Sequence, residues 1–168
     1  MEVPVESRHD GERLSPFSCI LVAVDGSNAS LEAAQVAVWM ASLHQLPVVA
    51  LYVVDDRTVN EVASISQEAP EVIRRNLEEQ GWRCLELVAR MAQNYGVEPT
   101  RLVRYGVPHI QIASVAREYG VDLIVIGKAS QGGARRSQVG RVTERVIEYV
   151  PCAVLVVNVP EESSDWLR

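Results

Sequence analysis

The sequence predicts an α/β fold: a single doubly wound, five-stranded parallel sheet with four main helices, in a Rossmann-like arrangement. Short runs of apolar, β-branched residues recur along the chain, as is typical of strands buried on both faces of a parallel sheet. Stretches with apolar residues at helical spacing separate these runs. Strands that alternate with helices pair in parallel through right-handed crossovers, so helices cover both faces. We expect the strand order 3-2-1-4-5.

Length and composition indicate one globular domain with a full core, since the chain has 168 residues, 48% of them hydrophobic and 23% charged. We expect a flexible N-terminal tail at residues 1–17, the domain at residues 18–159 and a C-terminal tail at residues 160–168. The net charge of −6 argues against nucleic-acid and membrane partners, because both require a basic surface.

The cysteines and histidines are few and widely spaced. They are Cys19, Cys84, Cys152, His9, His44 and His109. Three cysteines without a C-x-x-C pair are typical of buried, reduced thiols, and the histidines show no metal-ligand spacing. The polar N-terminus also lacks an apolar signal core. We therefore expect a cytoplasmic protein without a metal site.

The domain begins with a strand, a tight turn and a helix. Cys19–Val24 is an apolar run that predicts strand 1. Asp25-Gly26-Ser27-Asn28 predicts a turn in which Ser27 or Asn28 caps the next helix. One apolar face of that helix is formed by Leu31, Ala34, Val38 and Ala41.

The middle of the chain contains a second strand and a long helix. Val48–Val54 predicts strand 2. Arg57–Pro70 has mixed polarity and weak periodicity, so we expect a mobile loop with a short helical turn. Glu71–Tyr95 predicts a long helix, which Gly81 in its interior would bend or break, because glycine costs about 1 kcal/mol relative to alanine there.

The remaining elements are a more polar third strand suited to a sheet edge, a helix, a buried fourth strand, a last helix and a fifth strand. In that order they are Arg101–Tyr105, His109–Tyr119, Leu123–Ile126, Val142–Val150 and Cys152–Val157. Val142, Val146 and Ile147 give the last helix its apolar spacing.

The expected strand order places a ligand crevice at the carboxyl ends of strands 1 and 4. The connections change direction between these two strands, and ligands of open α/β sheets bind at such a reversal. Asp25, which ends strand 1, and Gly127, which ends strand 4, should therefore lie beside one another.

A glycine-rich loop leads from strand 4 into the last helix. It contains glycines at positions 132, 133 and 140 and arginines at 135, 136 and 141. Glycine lets backbone amides approach an anion closely, the start of a helix favours negative charge, and arginine adds charged donors. The loop predicts a phosphate site. The alternative is that the glycines only shape the connection and the arginines are solvated.

The same segment resembles the C-terminal signature of the universal stress protein family, G-x2-G-x9-G-[S/T]. Gly127 matches its first glycine and Gly140 its third. Ser130 stands where the second glycine belongs, and Arg141 stands in place of the serine or threonine. Val-Ala-Val-Asp-Gly-Ser, Gly-Val-Pro and Asp-Leu-Ile-Val-Ile-Gly extend the resemblance over most of the structured chain.

The resemblance implies a cytoplasmic stress-response regulator that binds ATP or AMP, with Mg²⁺ accompanying ATP. It also implies a homodimer through the last strand, Ala153–Val157, whose exposed edge requires cover. The aspartate that ends strand 1 would contact the nucleoside, and the backbone of Val53 would contact adenine. Asp25 has an alternative role, because Asp-Gly-Ser is also an ordinary turn and helix-cap sequence.

The predicted nucleotide-contacting residues come from strands 1 and 2, the glycine-rich loop and the last helix. They are Ala23, Val24, Asp25, Val53, Gly127, Ser130, Gly132, Gly133, Gly140, Arg141, Val142 and Thr143. Arg141 either pairs with a phosphate or fills the space of the terminal phosphate, and the sequence leaves both open.

The sequence supplies no plausible nucleophile with its base, so we expect a sensor rather than a catalyst, with at most slow hydrolysis of ATP. The nucleotide-bound state of this sensor would be recognised by a regulatory protein partner, which the sequence does not identify. Because Ser130 and Arg141 depart from the signature, a second hypothesis is a dimeric interaction module that does not bind nucleotide.

Overall fold

A computed structural model describes residues 15–128 and 139–158 of the chain. Five strands occur in these ranges: β1 (Ile20–Val24), β2 (Val48–Val54), β3 (Thr100–Tyr105), β4 (Leu123–Gly127) and β5 (Ala153–Val157). Five helices alternate with them: α1 (Asn28–His44), α2 (Asp56–Ser66), α3 (Pro70–Gln93), α4 (Pro108–Glu118) and α5 (Arg141–Tyr149). The predicted tails lie largely outside the described residues.

The five strands form one parallel sheet in the order β3-β2-β1-β4-β5, which confirms the predicted topology. β1 lies at the centre, with Ala23 paired to Leu51 on β2 and to Ile126 on β4. The edges are β3 and β5, as the sequence predicted.

Two apolar layers pack on opposite faces of the sheet. Alternate residues of β1 divide between them, because successive side chains of a strand point to opposite faces. Ile20, Val22 and Val24 join the layer under α1, α2 and α3. Leu21 and the partly buried Ala23 join the layer under α4 and α5. Buried side chains therefore lie on both faces of the sheet, as expected for parallel strands.

The prediction of four main helices was wrong, because Asp56–Ser66 is a fifth helix, α2, where we expected a mobile loop with only a short helical turn. The side chain of Asp55 caps it by accepting a hydrogen bond from the amide of Arg57 at 3.0 Å. Only Val59 and Ala63 of this helix are buried. Val59 and Ala63 lie one turn apart, so the helical period is present in the sequence, but it rests on very few buried residues.

The long helix α3 runs through Gly81 without interruption, so the helix does not break at this residue. It starts at Pro70, where the missing N–H of proline costs no intrahelical hydrogen bond. Gly96 follows the helix with φ +67°, the left-handed conformation that glycine adopts at low cost.

A hydrogen-bonded clamp joins β1 and β4 at the amino ends of the strands. The carboxylate of Asp122 accepts hydrogen bonds from the Ser18 hydroxyl at 2.6 Å, from the Ser18 amide and from the Cys19 amide. Burial by itself would raise the pKa of Asp122, but these hydrogen bonds outweigh it, so the pKa is lowered from its ordinary value.

All three cysteines are free thiols; Cys19 and Cys84 are buried and Cys152 is half-buried. Cys19 and Cys152 lie on either side of β4, and burial raises the pKa of each, with the charge of Asp122 adding to the effect. Within the described ranges, no helix combines the length and apolarity needed to cross a bilayer.

Candidate functional site

The carboxyl ends of β1 and β4 are neighbours in the sheet. The connections that follow these two strands lead to opposite faces of the sheet. After β1 the chain turns into α1, which packs on one face, and the helix that follows β4, α5, packs on the other. This arrangement is the reversal at which ligands of open α/β sheets bind. It brings the Asp25 turn and Gly127 to the same place, as the sequence predicted.

Burial along the central strands marks a crevice on the face that carries α4 and α5. Every residue of β1, β2 and β4 is buried except Ala23 and Val53, which are partly exposed. Both lie near the carboxyl ends, and both face the layer under α4 and α5. Because Ala23 pairs with Leu51, Val53 lies two residues further along the adjacent strand on the same face. These two residues form an apolar floor that the helices leave uncovered.

Gly127 is required by the close approach of β4 to the start of α1. A Cβ atom at this position would lie 2.5 Å from the carbonyl carbon and oxygen of Ala29 and 2.8 Å from the amide nitrogen of Ser30. These are backbone atoms of α1, which cannot move aside without moving the helix. Gly127 therefore allows the first turn of α1 to lie directly against the end of β4.

The Asp25 turn is held by its own side chains. Oδ1 of Asp25 accepts a hydrogen bond from the Ser27 amide at 2.9 Å, and Oγ of Ser27 accepts one from the Ser30 amide at 3.2 Å. The Ser30 hydroxyl donates to the Ser27 carbonyl and accepts from the Asp25 amide. The turn and cap role of this sequence is thus observed. It leaves room for the predicted ligand role, since a carboxylate has four acceptor positions and Asp25 is exposed.

Helix α5 begins beside the end of β4. Its N-cap is Gly140, which supplies no side-chain capping bond, and Arg141 and Val142 in its first turn are exposed. Thr143 is 1% exposed, and its hydroxyl donates to the carbonyl of Gly127 at 3.2 Å. That proton already has an acceptor, so Thr143 joins α5 to β4.

The structure therefore brings seven of the predicted residues to one edge of the sheet: Ala23, Asp25, Gly127, Gly140, Arg141, Val142 and Thr143. Val53 lies beside them on β2. Val24 is buried on the opposite face, so its side chain does not face the crevice. Ser130, Gly132 and Gly133 lie outside the described residues.

The sequence analysis missed the residues that support the Asp25 turn from behind. The Gly26 amide lies close to the sulfur of Cys84 on α3, and a Cβ at Gly26 would lie 3.9 Å from Nε2 of Gln80. Burial raises the pKa of the Cys84 thiol, and the nearby charge of Asp25 raises it further. Burial likewise raises the pKa of Tyr52, with Cys84 and Asp25 as lesser causes. Only the order of the strands, and no local motif, places α3 behind this turn.

The fold and the crevice define a Rossmann-like α/β domain with an open site at its topological switch point. A family model described as the universal stress protein family matches residues 16–158. The chain belongs to the universal stress protein family.

Relatives in this family resemble the chain over nearly its full length. It is 37% identical over 154 residues to the universal stress protein MJ0531 of Methanocaldococcus jannaschii, with 91% of this chain and 88% of that protein covered. It is 30% identical to the universal stress protein YxiE of Bacillus subtilis, with 84% of this chain and 99% of that protein covered.

Solved structures share the fold. The universal stress protein UspA of Lactobacillus plantarum superposes with a TM-score of 0.64 at 29% identity, over 85% of this chain and 99% of that one. Two others, each 21% identical with a TM-score of 0.57, are a universal stress protein in complex with cAMP and one from Archaeoglobus fulgidus in complex with dAMP. They cover 85% and 84% of this chain, and 98% of each of those chains.

Proposed function

We propose that this universal stress protein binds an adenine nucleotide, ATP or AMP, in the crevice at the carboxyl ends of β1 and β4. The observation that carries the proposal is the apolar floor of Ala23 and Val53, the only partly exposed residues of the three central strands. An apolar floor at a topological switch point suits a flat aromatic base. The cAMP and dAMP complexes of two proteins of the same fold support an adenine nucleotide as the ligand.

Different residues around the apolar floor would contact different parts of the nucleotide. The exposed carboxylate of Asp25 would accept hydrogen bonds from hydroxyl or amino groups of the nucleoside. The start of α5 lacks a side-chain cap, so its first amides favour a phosphate. Arg141 at that start would add a bidentate, charged donor. Mg²⁺ would accompany ATP, held by the phosphates themselves.

We propose a regulatory role for the bound nucleotide in a cytoplasmic protein. The polar side chains beside the crevice already serve the fold: Asp25 accepts from the Ser27 amide, and Thr143 donates to Gly127. Because these polar groups already make hydrogen bonds within the protein, they are better suited to positioning a ligand than to transferring its protons. The nucleotide state would then be read by a protein partner.

We further propose that the protein is a homodimer through β5. The two edges of the sheet differ in their protection. On β3, Arg101 pairs with Glu86 of α3 at 2.6 Å and Arg104 pairs with Glu118 of α4 at 3.1 Å, so charges guard that edge. The sequence of β5 is Ala-Val-Leu-Val-Val, without a charged residue. An apolar edge favours pairing with a second copy of the same strand.

A titration tests nucleotide binding, with two valine variants as a matched pair. Val53 lies on the crevice floor, and Val103, on the adjacent strand, is also partly buried but faces the layer under α3. Isothermal titration with ATP, AMP and GTP should show binding by the wild type and by Val103→Phe, and none by Val53→Phe. Nucleotide at a hundred times its dissociation constant should stabilise the wild type by about 2.7 kcal/mol. Equal affinities of the two variants would contradict the proposed position of the site.

A second candidate function is a dimeric interaction module without nucleotide. Two observations favour it: Arg141 occupies the first residue of α5 in place of a small hydroxyl residue, and the Thr143 hydroxyl is already bonded to Gly127. No binding of ATP, AMP or GTP at millimolar concentration by the folded wild type would favour this alternative.

A further inference from the structure

The turn that carries Asp25 is supported by one short stretch of α3, on the face of the sheet opposite the crevice floor. Gly26 in this turn has φ +86°, a left-handed conformation that favours glycine, and a Cβ atom there would lie 3.9 Å from Nε2 of Gln80. The Gly26 amide lies close to the sulfur of Cys84. Gln80 and Cys84 are four residues apart, so adjacent turns of α3 face the same residue of the Asp25 turn.

A glycine in α3 brings the helix close enough to the sheet for this contact. Gly81 lies one turn before Cys84, and a Cβ atom at position 81 would lie 2.5 Å from Cδ1 of Tyr52. Tyr52 pairs with Val24, the last residue of β1. The helix therefore packs directly on the carboxyl ends of β1 and β2, and this packing places Cys84 behind the turn that follows β1.

The side chain of Cys84 combines two properties that suit it to support this turn. It is 5% exposed and belongs to the same apolar layer as Val24 and Tyr52. Burial and the nearby charge of Asp25 both raise the pKa of the thiol, so it is neutral at pH 7 and adds no negative charge beside that carboxylate. A neutral thiol packs like a small apolar group and still offers a weak acceptor to an amide.

We propose that Cys84 is a positioning residue of the nucleotide site, which holds the Asp25 turn where the Asp25 carboxylate meets the nucleoside. This inference rests on the proposed nucleotide binding and adds to it a residue from the opposite face of the sheet. Because Cys84 is buried under α3, it acts on the ligand through the backbone of Gly26. The hydrogen bonds from the Ser27 and Ser30 amides fix the shape of the turn, whereas Cys84 fixes its position against α3.

The expected effect follows from the contact that the Gly26 amide would lose. Without the sulfur of Cys84, the turn gains conformational freedom that a bound nucleotide must remove again. A contact as strong as an ordinary hydrogen bond corresponds to about a three- to tenfold change in a dissociation constant. Because Asp25 would contact the nucleoside and not the phosphates, the affinities for ATP and AMP should change by the same factor.

Two buried cysteines provide a matched pair of variants for titration calorimetry of the full chain. Cys84→Ala removes the sulfur behind the turn, and Cys19→Ala makes the same truncation at a residue 7% exposed, directly before the amino end of β1. We expect Cys84→Ala to bind ATP and AMP about three- to tenfold more weakly than wild type, and Cys19→Ala to change less than about twofold. Cys84→Ser keeps a small acceptor at the position and should recover most of the affinity.

A double-mutant cycle tests whether Cys84 acts through Asp25. Asp25→Asn keeps an oxygen for the Ser27 amide but loses the charge that the nucleoside would meet. Adding Cys84→Ala to this variant should change the affinity less than about twofold, because the contact that Cys84 positions is already weakened. If the two losses multiplied instead, Cys84 would act by another route and the inference would be wrong.

Hydrogen exchange of the Gly26 amide, followed by NMR, gives a second measurement that needs no nucleotide. Exchange should be faster in Cys84→Ala than in wild type and unchanged in Cys19→Ala. If exchange becomes faster but Cys84→Ala binds ATP and AMP no more weakly than Cys19→Ala, the sulfur supports only the fold and the inference is wrong. If the wild type binds neither nucleotide, the proposed function itself fails, and the inference fails with it.

Discussion

Gly81, in the middle of α3, lies directly against the aromatic ring of Tyr52 on β2. A Cβ atom at position 81 would lie 2.5 Å from Cδ1 and 2.9 Å from Cγ of that ring. Tyr52 is buried, and its ring atoms near the backbone have little freedom to move. Tyr52 also pairs with Val24, the residue before Asp25, so this contact sets the distance of α3 from the β1 end of the crevice.

Gly81→Ala should therefore destabilise the protein, although alanine is the better helix former. Helix propensity favours alanine by about 1 kcal/mol, whereas overpacking a core costs about 1–3 kcal/mol. We expect the free energy of unfolding, measured by urea denaturation, to fall by about 1–2 kcal/mol. The double variant Gly81→Ala/Tyr52→Leu should recover part of this loss. If Gly81→Ala alone raised the free energy of unfolding, the contact between position 81 and the Tyr52 ring would not be too tight for a methyl group.

Gly127→Ala should separate β4 from α1 and weaken both stability and nucleotide binding. The added methyl group would overlap backbone atoms of Ala29, so strand and helix must move apart. We expect a loss of about 2–3 kcal/mol, since overpacking against backbone lies at the upper end of the usual range. Chemical denaturation measures this loss, and titration calorimetry measures the affinity.

The control for this variant is Gly96→Ala. Gly96 has φ +67° and nothing within 4 Å of a Cβ. Its substitution costs only the left-handed conformation, about 1–2 kcal/mol, and lies away from the crevice. Nucleotide affinity should be unchanged in Gly96→Ala and reduced in Gly127→Ala. Equal affinities would mean that the packing of Gly127 on α1 does not support the site.

The topology and the position of the crevice could be predicted because they depend on strong, regular signals. Three central strands buried on both faces read as nearly continuous apolar runs, and their alternation with helices restricts the topology to few choices. The predicted strand order then placed Asp25 and Gly127 next to each other. The capping role of Ser27 was also visible, since it needs only local sequence.

Features that depend on packing partners could not be predicted in this way. α2 buries only Val59 and Ala63, so its helical period rests on few apolar residues and on the capping Asp55. Val142 and Ile147 give α5 a helical apolar spacing, yet both are exposed, and only Thr143 and Val146 are buried. An apolar residue that faces the core and one that faces solvent or a partner have the same sequence signal.

Thr143→Val should lower stability more than nucleotide affinity, because the hydroxyl of Thr143 bonds to the buried carbonyl of Gly127. Valine keeps the shape but leaves that carbonyl without its partner, at a cost of about 1–3 kcal/mol. Thr143→Ser keeps the hydroxyl and should recover most of the loss. Thermal denaturation and calorimetric titration of both variants separate the roles. A large loss of affinity in Thr143→Val with unchanged stability would show that the hydroxyl contacts the ligand instead.

Asp122→Asn should destabilise the clamp between β1 and β4 and remove part of the acid sensitivity of the fold. The pKa of Asp122 is lowered in the folded state by hydrogen bonds from Ser18 and Cys19. A lowered folded pKa contributes stability that is present above the unfolded value, about 3.9, and is lost as the pH falls through the folded value.

The measurement is the free energy of unfolding of Asp122→Asn and wild type between pH 2 and pH 7. Near neutral pH the variant should be less stable by on the order of 1 kcal/mol, since the carboxylate is only partly buried. The two curves should converge below pH 4, where the wild-type carboxylate takes up its proton. Asp56→Asn, at an exposed ion pair with Arg74, is the control and should change stability little at any pH. A constant difference between Asp122→Asn and wild type down to pH 2 would show that the clamp does not depend on the charge of Asp122.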